Sequence, residues 1–123
     1  MPKSVLIVED EALLRRTLAS ALRDAGLDAV TAESAEEAER HLFPVPAVDL
    51  VVMDNRLPAA DGVSVLRRLR AGRASCPVIL MTAFDQVEVR KAAQNLADSY
   101  LVKPFDLQSM LAEIERLLGK NGN

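Results

Sequence analysis

Tryptophan is absent from this 123-residue chain, and tyrosine, histidine and cysteine occur once each. A single cysteine cannot build a disulfide framework, so the expected setting is a reducing, cytoplasmic one. No activating base stands near Cys76 in sequence, and it reads as a buried, inert thiol. His41, late in a helical stretch, reads as a surface residue rather than a phosphotransfer group. The chain also lacks a basic excess: 15 Lys and Arg against 18 Asp and Glu leave a net charge of −3. No global field would draw it to nucleic acid or an anionic membrane, and the cluster Arg67, Arg68, Arg70 and Arg73 is too small to reverse that. Long apolar runs are missing too. VLIV and VILM are far too short to span a bilayer, and MPKSVLIVED meets acid too soon for a signal peptide.

What is present is alternation. Val5–Val8, Leu50–Met53 and Val78–Met81 are short, branched-rich runs without polar alternation, as in strands covered on both faces. Ala29–Thr31 and Tyr100–Val102 are weaker and read as edge strands. Between them lie five helical stretches. Leu14, Leu18, Leu22 and Ala25 form a stripe stopped by Gly26. Ser34 with Glu37 makes a capping box for a helix ending near Leu42. A third helix runs from about Gly62 to Arg70, and an Ala-rich, weakly amphipathic fourth from about Val87 to Leu96. The fifth carries Met110, Leu111, Ile114, Leu117 and Leu118 and is expected to break at Gly119. Arg15 and Arg16 read as the solvated face of the first helix. Five strands alternating with five helices predict a parallel sheet wound on both faces, with ligands at the carboxyl ends of its strands.

Those ends collect Glu9, Asp10 and Glu11 after the first strand, Asp54 after the third, Thr82 after the fourth and Lys103-Pro104 after the fifth. Two carboxylates about 4 Å apart repel by about 4 kcal/mol at an effective dielectric of about 20. Lys103 offsets part of this, and the remainder calls for a divalent ion, Mg²⁺ or alternatively Mn²⁺. A carboxylate, a divalent ion, an ammonium and a hydroxyl together suit phosphoryl transfer onto Asp54, with Glu9 and Asp10 holding the metal.

LIVEDE, MDNRLPAADG, ILMTA and YLVKPF stand in an order and spacing that resembles the receiver domain of bacterial two-component response regulators, over residues 4 to about 118. The resemblance implies a flavodoxin-like (βα)5 fold of strand order 2-1-3-4-5, with residues 1–119 as the receiver domain and 120–123 as a tail or linker start. Asp54 would accept a phosphoryl group from a histidine kinase or phosphotransfer protein, making this a regulatory domain rather than an enzyme. Mg²⁺ would be held by Glu9, Asp10, Asp54 and the main-chain carbonyl of Arg56. Lys103 would pair with a phosphoryl oxygen, ahead of a cis peptide to Pro104. Thr82 would swing toward the phosphoryl group and Tyr100 would follow inward, altering a face made of the fourth helix, fifth strand and fifth helix. An output domain or downstream protein would read that face, with a phosphorylation-dependent homodimer as a family expectation. No direct nucleic-acid or membrane contact is expected. Arg56 and Phe84 occupy positions that tune acyl-phosphate lifetime, and their side chains are expected to impede water. Leu96 stands where the family commonly has Gly, so that turn is expected to be built differently, with the fourth helix extended.

Three other readings compete. A pseudo-receiver would bind protein without phosphotransfer. A haloacid-dehalogenase-like phosphatase needs a second acid two residues after its nucleophile, where Arg56 stands. An FMN binder needs a small, Gly- and hydroxyl-rich phosphate loop, where Glu9-Asp10-Glu11 would repel phosphate.

Overall fold

Aliphatic runs without polar alternation leave neither face to water, and the central strands here are buried along nearly their whole length. The computed structural model describes residues 2–121. Its five-stranded parallel sheet comprises β1 (Ser4–Val8), β2 (Asp28–Ala32), β3 (Leu50–Asp54), β4 (Val78–Thr82) and β5 (Ser99–Val102). Their spatial order is 2-1-3-4-5, with the two weaker runs at the edges. The helices are α1 (Ala12–Asp24), α2 (Ala35–Leu42), α3 (Gly62–Ala71), α4 (Val87–Leu96) and α5 (Leu107–Asn121). The flavodoxin-like (βα)5 expectation is met.

Because successive strand residues point to opposite faces, each central strand feeds two cores. Val5, Ile7, Val52, Ile79 and Met81 pack against Leu18 and Leu22 of α1 and Met110 and Ile114 of α5. Leu6, Val8, Val51 and Met53 face Ala38 and Leu42 of α2 and Leu66 and Leu69 of α3. On that second face α4 buries only Ala92 and Ala93, against Leu80 and Val63. Two alanines remove little apolar surface from water, so α4 is the least firmly anchored helix of that layer.

The helix ends follow their local chemistry. Gly26 takes φ 87°, and the N–H groups of Gly26 and Leu27 return to the carbonyls of Arg23 and Leu22, the Schellman arrangement that glycine permits. Ser34 Oγ accepts the Glu37 N–H, but the Glu37 carboxylate reaches the N–H of Glu33 rather than that of Ser34. Gly119 does not break α5, which runs on to Asn121. Glycine keeps its N–H and costs a helix only about 1 kcal/mol. Residues 122 and 123 of the GKNGN segment lie outside the described residues.

At the turn after α4, Ala97 is extended at φ −95° and ψ 160°, so Leu96 ends the helix without a left-handed residue. The turn is fastened by Arg70 instead. Its guanidinium donates to the carbonyls of Leu96, Ala74 and Cys76, each at 2.8 Å, and pairs with Asp98 at 3.1 Å. Asp98 in turn accepts the Val78 N–H. Arg70 is therefore an internal staple, not part of a basic surface. Arg68 likewise pairs with Glu39 and lies over the Phe43 ring. Cys76 is half-buried, and burial pushes its thiol up to about 11, so it stays protonated near neutrality.

Arg70→Ala strips three loop carbonyls of a charged donor. It is expected to lower unfolding free energy by about 2 kcal/mol in urea denaturation, the scale of hydrogen bonds to a charged group.

Candidate functional site

Parallel register brings the strand ends to one edge. Val8 lies opposite Met53, Asp54 opposite Met81, and Thr82 opposite Val102. Glu9, Asp54, Thr82 and Lys103 therefore emerge side by side, joined by ladder bonds from Asn55 N–H to Met81 O and from Lys103 N–H to Thr82 O. Lys103 Nζ lies 2.7 Å from Glu9 Oε1 and 3.4 Å from Asp54 Oδ2. The second Glu9 oxygen accepts the Glu11 N–H at 3.1 Å. Carboxylate oxygens of Glu9, Asp10 and Asp54 lie within 4.8 Å of one another. Glu9 and Asp54 are buried, whereas Asp10 is exposed.

Burial acts on these groups unequally. Glu9 and Asp54 are held above the ordinary carboxylate range, chiefly because burial penalises their charge, with Lys103 only partly compensating. Lys103 keeps contact with water and faces two carboxylates. Although burial opposes its charge, their attraction prevails and moves its ammonium upward. This excess of buried negative charge is the condition that a hard divalent cation relieves. Three clustered carboxylates suit Mg²⁺, which takes oxygen ligands and keeps several waters. The donor set fits the ion.

The backbone around Asp54 is closely fitted. Asn55 Oδ1 accepts the Val63 N–H at 3.1 Å, and its carbonyl accepts the Gly62 N–H at 2.7 Å, tying the start of α3 to the end of β3. A Cβ on Gly62 would stand 2.6 Å from the Asp54 carbonyl oxygen, so only glycine fits. Asp61 caps α3 through Ser64 N–H at 2.8 Å. Between them, Arg56–Leu57 and Ala60–Asp61 form a two-residue antiparallel ribbon, closed by Pro58 and by Ala59 at φ 65°.

Thr82 is buried, and its Oγ1 both accepts the Phe84 N–H and donates to the Phe84 carbonyl. The Phe84 ring is about half exposed, and the Arg56 guanidinium lies 4.0 Å from its centroid. The two side chains flanking the site thus stack on each other. Tyr100 is half-buried, and its hydroxyl donates to Asp85 at 3.0 Å, while Arg90 grips the same carboxylate through two bonds. The Lys103–Pro104 peptide is cis. His41 is half-buried on α2, away from this edge. The roles of Asn55, Asp85 and Arg15 at this edge emerge only in the fold. For Asn55 a signal existed, since a strand-end Asn before a Pro-containing turn is a common backbone staple.

The chain is thus a doubly wound α/β domain with an acid cluster, an ammonium and a hydroxyl at the carboxyl edge of its sheet. The sequence model of the response regulator receiver domain matches residues 5–115, and the chain belongs to that family, the regulatory signalling domains of two-component systems. It is 39% identical over 122 residues to the transcriptional regulatory protein PhoP of Escherichia coli K12, covering 95% of this chain and 52% of that protein. The chain thus spans about half the length of the curated relatives it matches. The non-phosphorylated HemR receiver domain of Leptospira biflexa is similar at 31% identity and TM-score 0.86, with 94% of each chain covered. A response regulator receiver protein from Pseudomonas putida is similar at 31% identity and TM-score 0.87, covering 94% of this chain and 98% of that one. Among the described residues no helix is long and apolar enough to cross a membrane.

Two outcomes follow from the crowding of charge and backbone. A carboxyl raised in the folded state favours folding when protonated, and that contribution is lost as pH rises through its folded value. Without divalent metal at pH 7, Asp54→Asn should therefore unfold at higher urea concentration than wild type, and the gap should close on acidification into the carboxylate range. Gly62→Ala should destabilise by about 2 kcal/mol, as overpacking against backbone does, and should shift the amide resonances of Asp54 and Asn55.

Proposed function

We propose that Asp54 accepts a phosphoryl group from the phosphohistidine of a histidine kinase or phosphotransfer protein. The observation that carries this reading is the single ammonium of Lys103 set between Glu9 and Asp54, with Asp10 within reach of both. Asp10, Asp54, Glu9 and the main-chain carbonyl of Arg56 would hold Mg²⁺, or Mn²⁺, which when bound neutralises phosphoryl oxygens and favours in-line transfer. The Asp54 carboxylate oxygen attacks phosphorus, the phosphorus–nitrogen bond breaks, and the imidazole leaves with the electron pair. Lys103 then exchanges one carboxylate partner for a phosphoryl oxygen. The domain assists its own phosphorylation and dephosphorylation, but its product is a signal. An open hollow beside Lys103, lined by Glu11, Leu14, Ala83, Pro104 and Phe105, with exposed Leu13 on α1, offers an approach for the phosphodonor protein.

The acyl phosphate brings up to two negative charges and new acceptor oxygens. For Thr82 to answer them, its hydroxyl must leave the Phe84 backbone. For Tyr100 to turn inward, it must leave Asp85, which Arg90 holds from α4. The α4–β5–α5 face would thereby change and control an output domain or partner protein, with homodimerisation through that face as one outlet. Residues 1–119 form the receiver unit in this reading, and 120–123 a tail or linker start. It works in the cytoplasm without itself binding nucleic acid or membrane.

Acetyl phosphate or beryllofluoride with Mg²⁺ should modify the wild type and leave Asp54→Ala unchanged. No response at Asp54 would instead favour a pseudo-receiver. The Arg56–Phe84 stack shields the attacked phosphorus from water. A cation–π contact is worth about 1 kcal/mol, so Phe84→Ala should release phosphate up to roughly fivefold faster. A slower variant in a phosphate-release time course would remove the shielding role.

A further inference from the structure

Arg15, expected on the solvated face of α1, has a side chain only 12% exposed and turns back over the loop between β1 and α1. Its Nη1 donates to the carbonyl oxygens of Glu9 at 3.0 Å and Asp10 at 3.2 Å, and its Nη2 pairs with Glu33 Oε1 at 3.2 Å. Its own N–H closes the first turn of α1 on the Glu11 carbonyl at 3.0 Å. The two carbonyls belong to the two peptide planes on either side of Asp10. A single guanidinium nitrogen that binds both, held in plane by the Nη2 pair with Glu33, fixes the relative orientation of those planes, and hence the φ and ψ from which the Asp10 side chain departs. Glu9 is already fixed through its carboxylate by Lys103 and the Glu11 N–H. Asp10 is exposed, and its aim is set by its backbone.

We propose that Arg15 is a positioning residue for the divalent-ion site, aiming the Asp10 carboxylate at Asp54 by clamping the peptides that flank it. Glu33, at the entrance to α2, braces the clamp from the other side. This rests on the reading that the Glu9, Asp10 and Asp54 cluster holds Mg²⁺. The proposal opposes simple electrostatics. A guanidinium beside a cation site repels the cation, so charge alone predicts that removing Arg15 tightens binding, whereas loss of positioning predicts weaker binding.

The test is a titration of the full chain with MgCl₂ alone, followed through the backbone amide resonances of Asp10, Asp54 and Asn55. Arg15→Ala should weaken Mg²⁺ about tenfold, the loss typical when an outer hydrogen-bond partner of a metal ligand is removed. Arg15→Lys, which keeps the charge but has no second nitrogen for Glu33 to brace while the first binds the two carbonyls, should fail to restore wild-type affinity. Glu33→Gln, which removes only an exposed ion pair, should weaken binding about twofold. Unchanged or tighter binding by Arg15→Ala overturns the proposal. Should that variant fail to fold, wild-type affinity in both Arg15→Lys and Glu33→Gln overturns it. A wild type whose site resonances ignore Mg²⁺ removes the metal-site reading and this inference with it, whereas a responsive wild type matched by its variants removes this inference alone.

Discussion

Everything at the active edge depends on keeping carboxylates close together that repel one another. Lys103 is the ammonium between Glu9 and Asp54, and it is too little: burial still holds both acids above their ordinary range. The edge is left short of positive charge, the condition that a divalent cation relieves.

The parts of the scaffold around that edge are anchored unequally. The three central strands, buried on both faces, fix the positions from which Glu9, Asp54 and Thr82 emerge. Asn55 and the close approach at Gly62 hold the end of β3 to the start of α3. The loop from Thr82 to Gln86 and the helix after it are held by different means: a hydroxyl on a neighbouring backbone, a tyrosine on an exposed aspartate, and two buried alanines. Such contacts are individually modest and exchangeable. Asp54 therefore has a firmly held floor on one side and a less firmly held loop on the other.

Thr82, Phe84 and Asp85 occupy neighbouring positions yet face three partners. Thr82 bonds the Phe84 backbone, the Phe84 ring carries the Arg56 guanidinium, and Asp85 holds Tyr100. The three are linked through one stretch of backbone.

Much of this was legible in the order of residues. Unbroken apolar runs announce strands covered on both faces, helical stripes announce the layers, and the alternation of the two implies a parallel sheet whose strand ends must gather Glu9, Asp10, Asp54, Thr82 and Lys103. These are consequences of period and sequence order, and the chain carries them locally. What it does not carry locally is the partner of a long side chain. Arg15 and Arg70 both read as solvated or basic-surface residues, because an arginine on a polar helix face usually is one. Each instead reaches carbonyls of a neighbouring loop, and which carbonyls lie within reach is decided only when helices dock on the sheet. The same holds for the Arg56–Phe84 stack and the Asp85 grip on Tyr100, which join residues 28 and 15 positions apart. By itself the sequence determined the elements, their order and the chemistry collected at one edge. Tertiary structure alone decided which flexible charged side chains hold that edge in place, because their energies depend on distances that only packing sets.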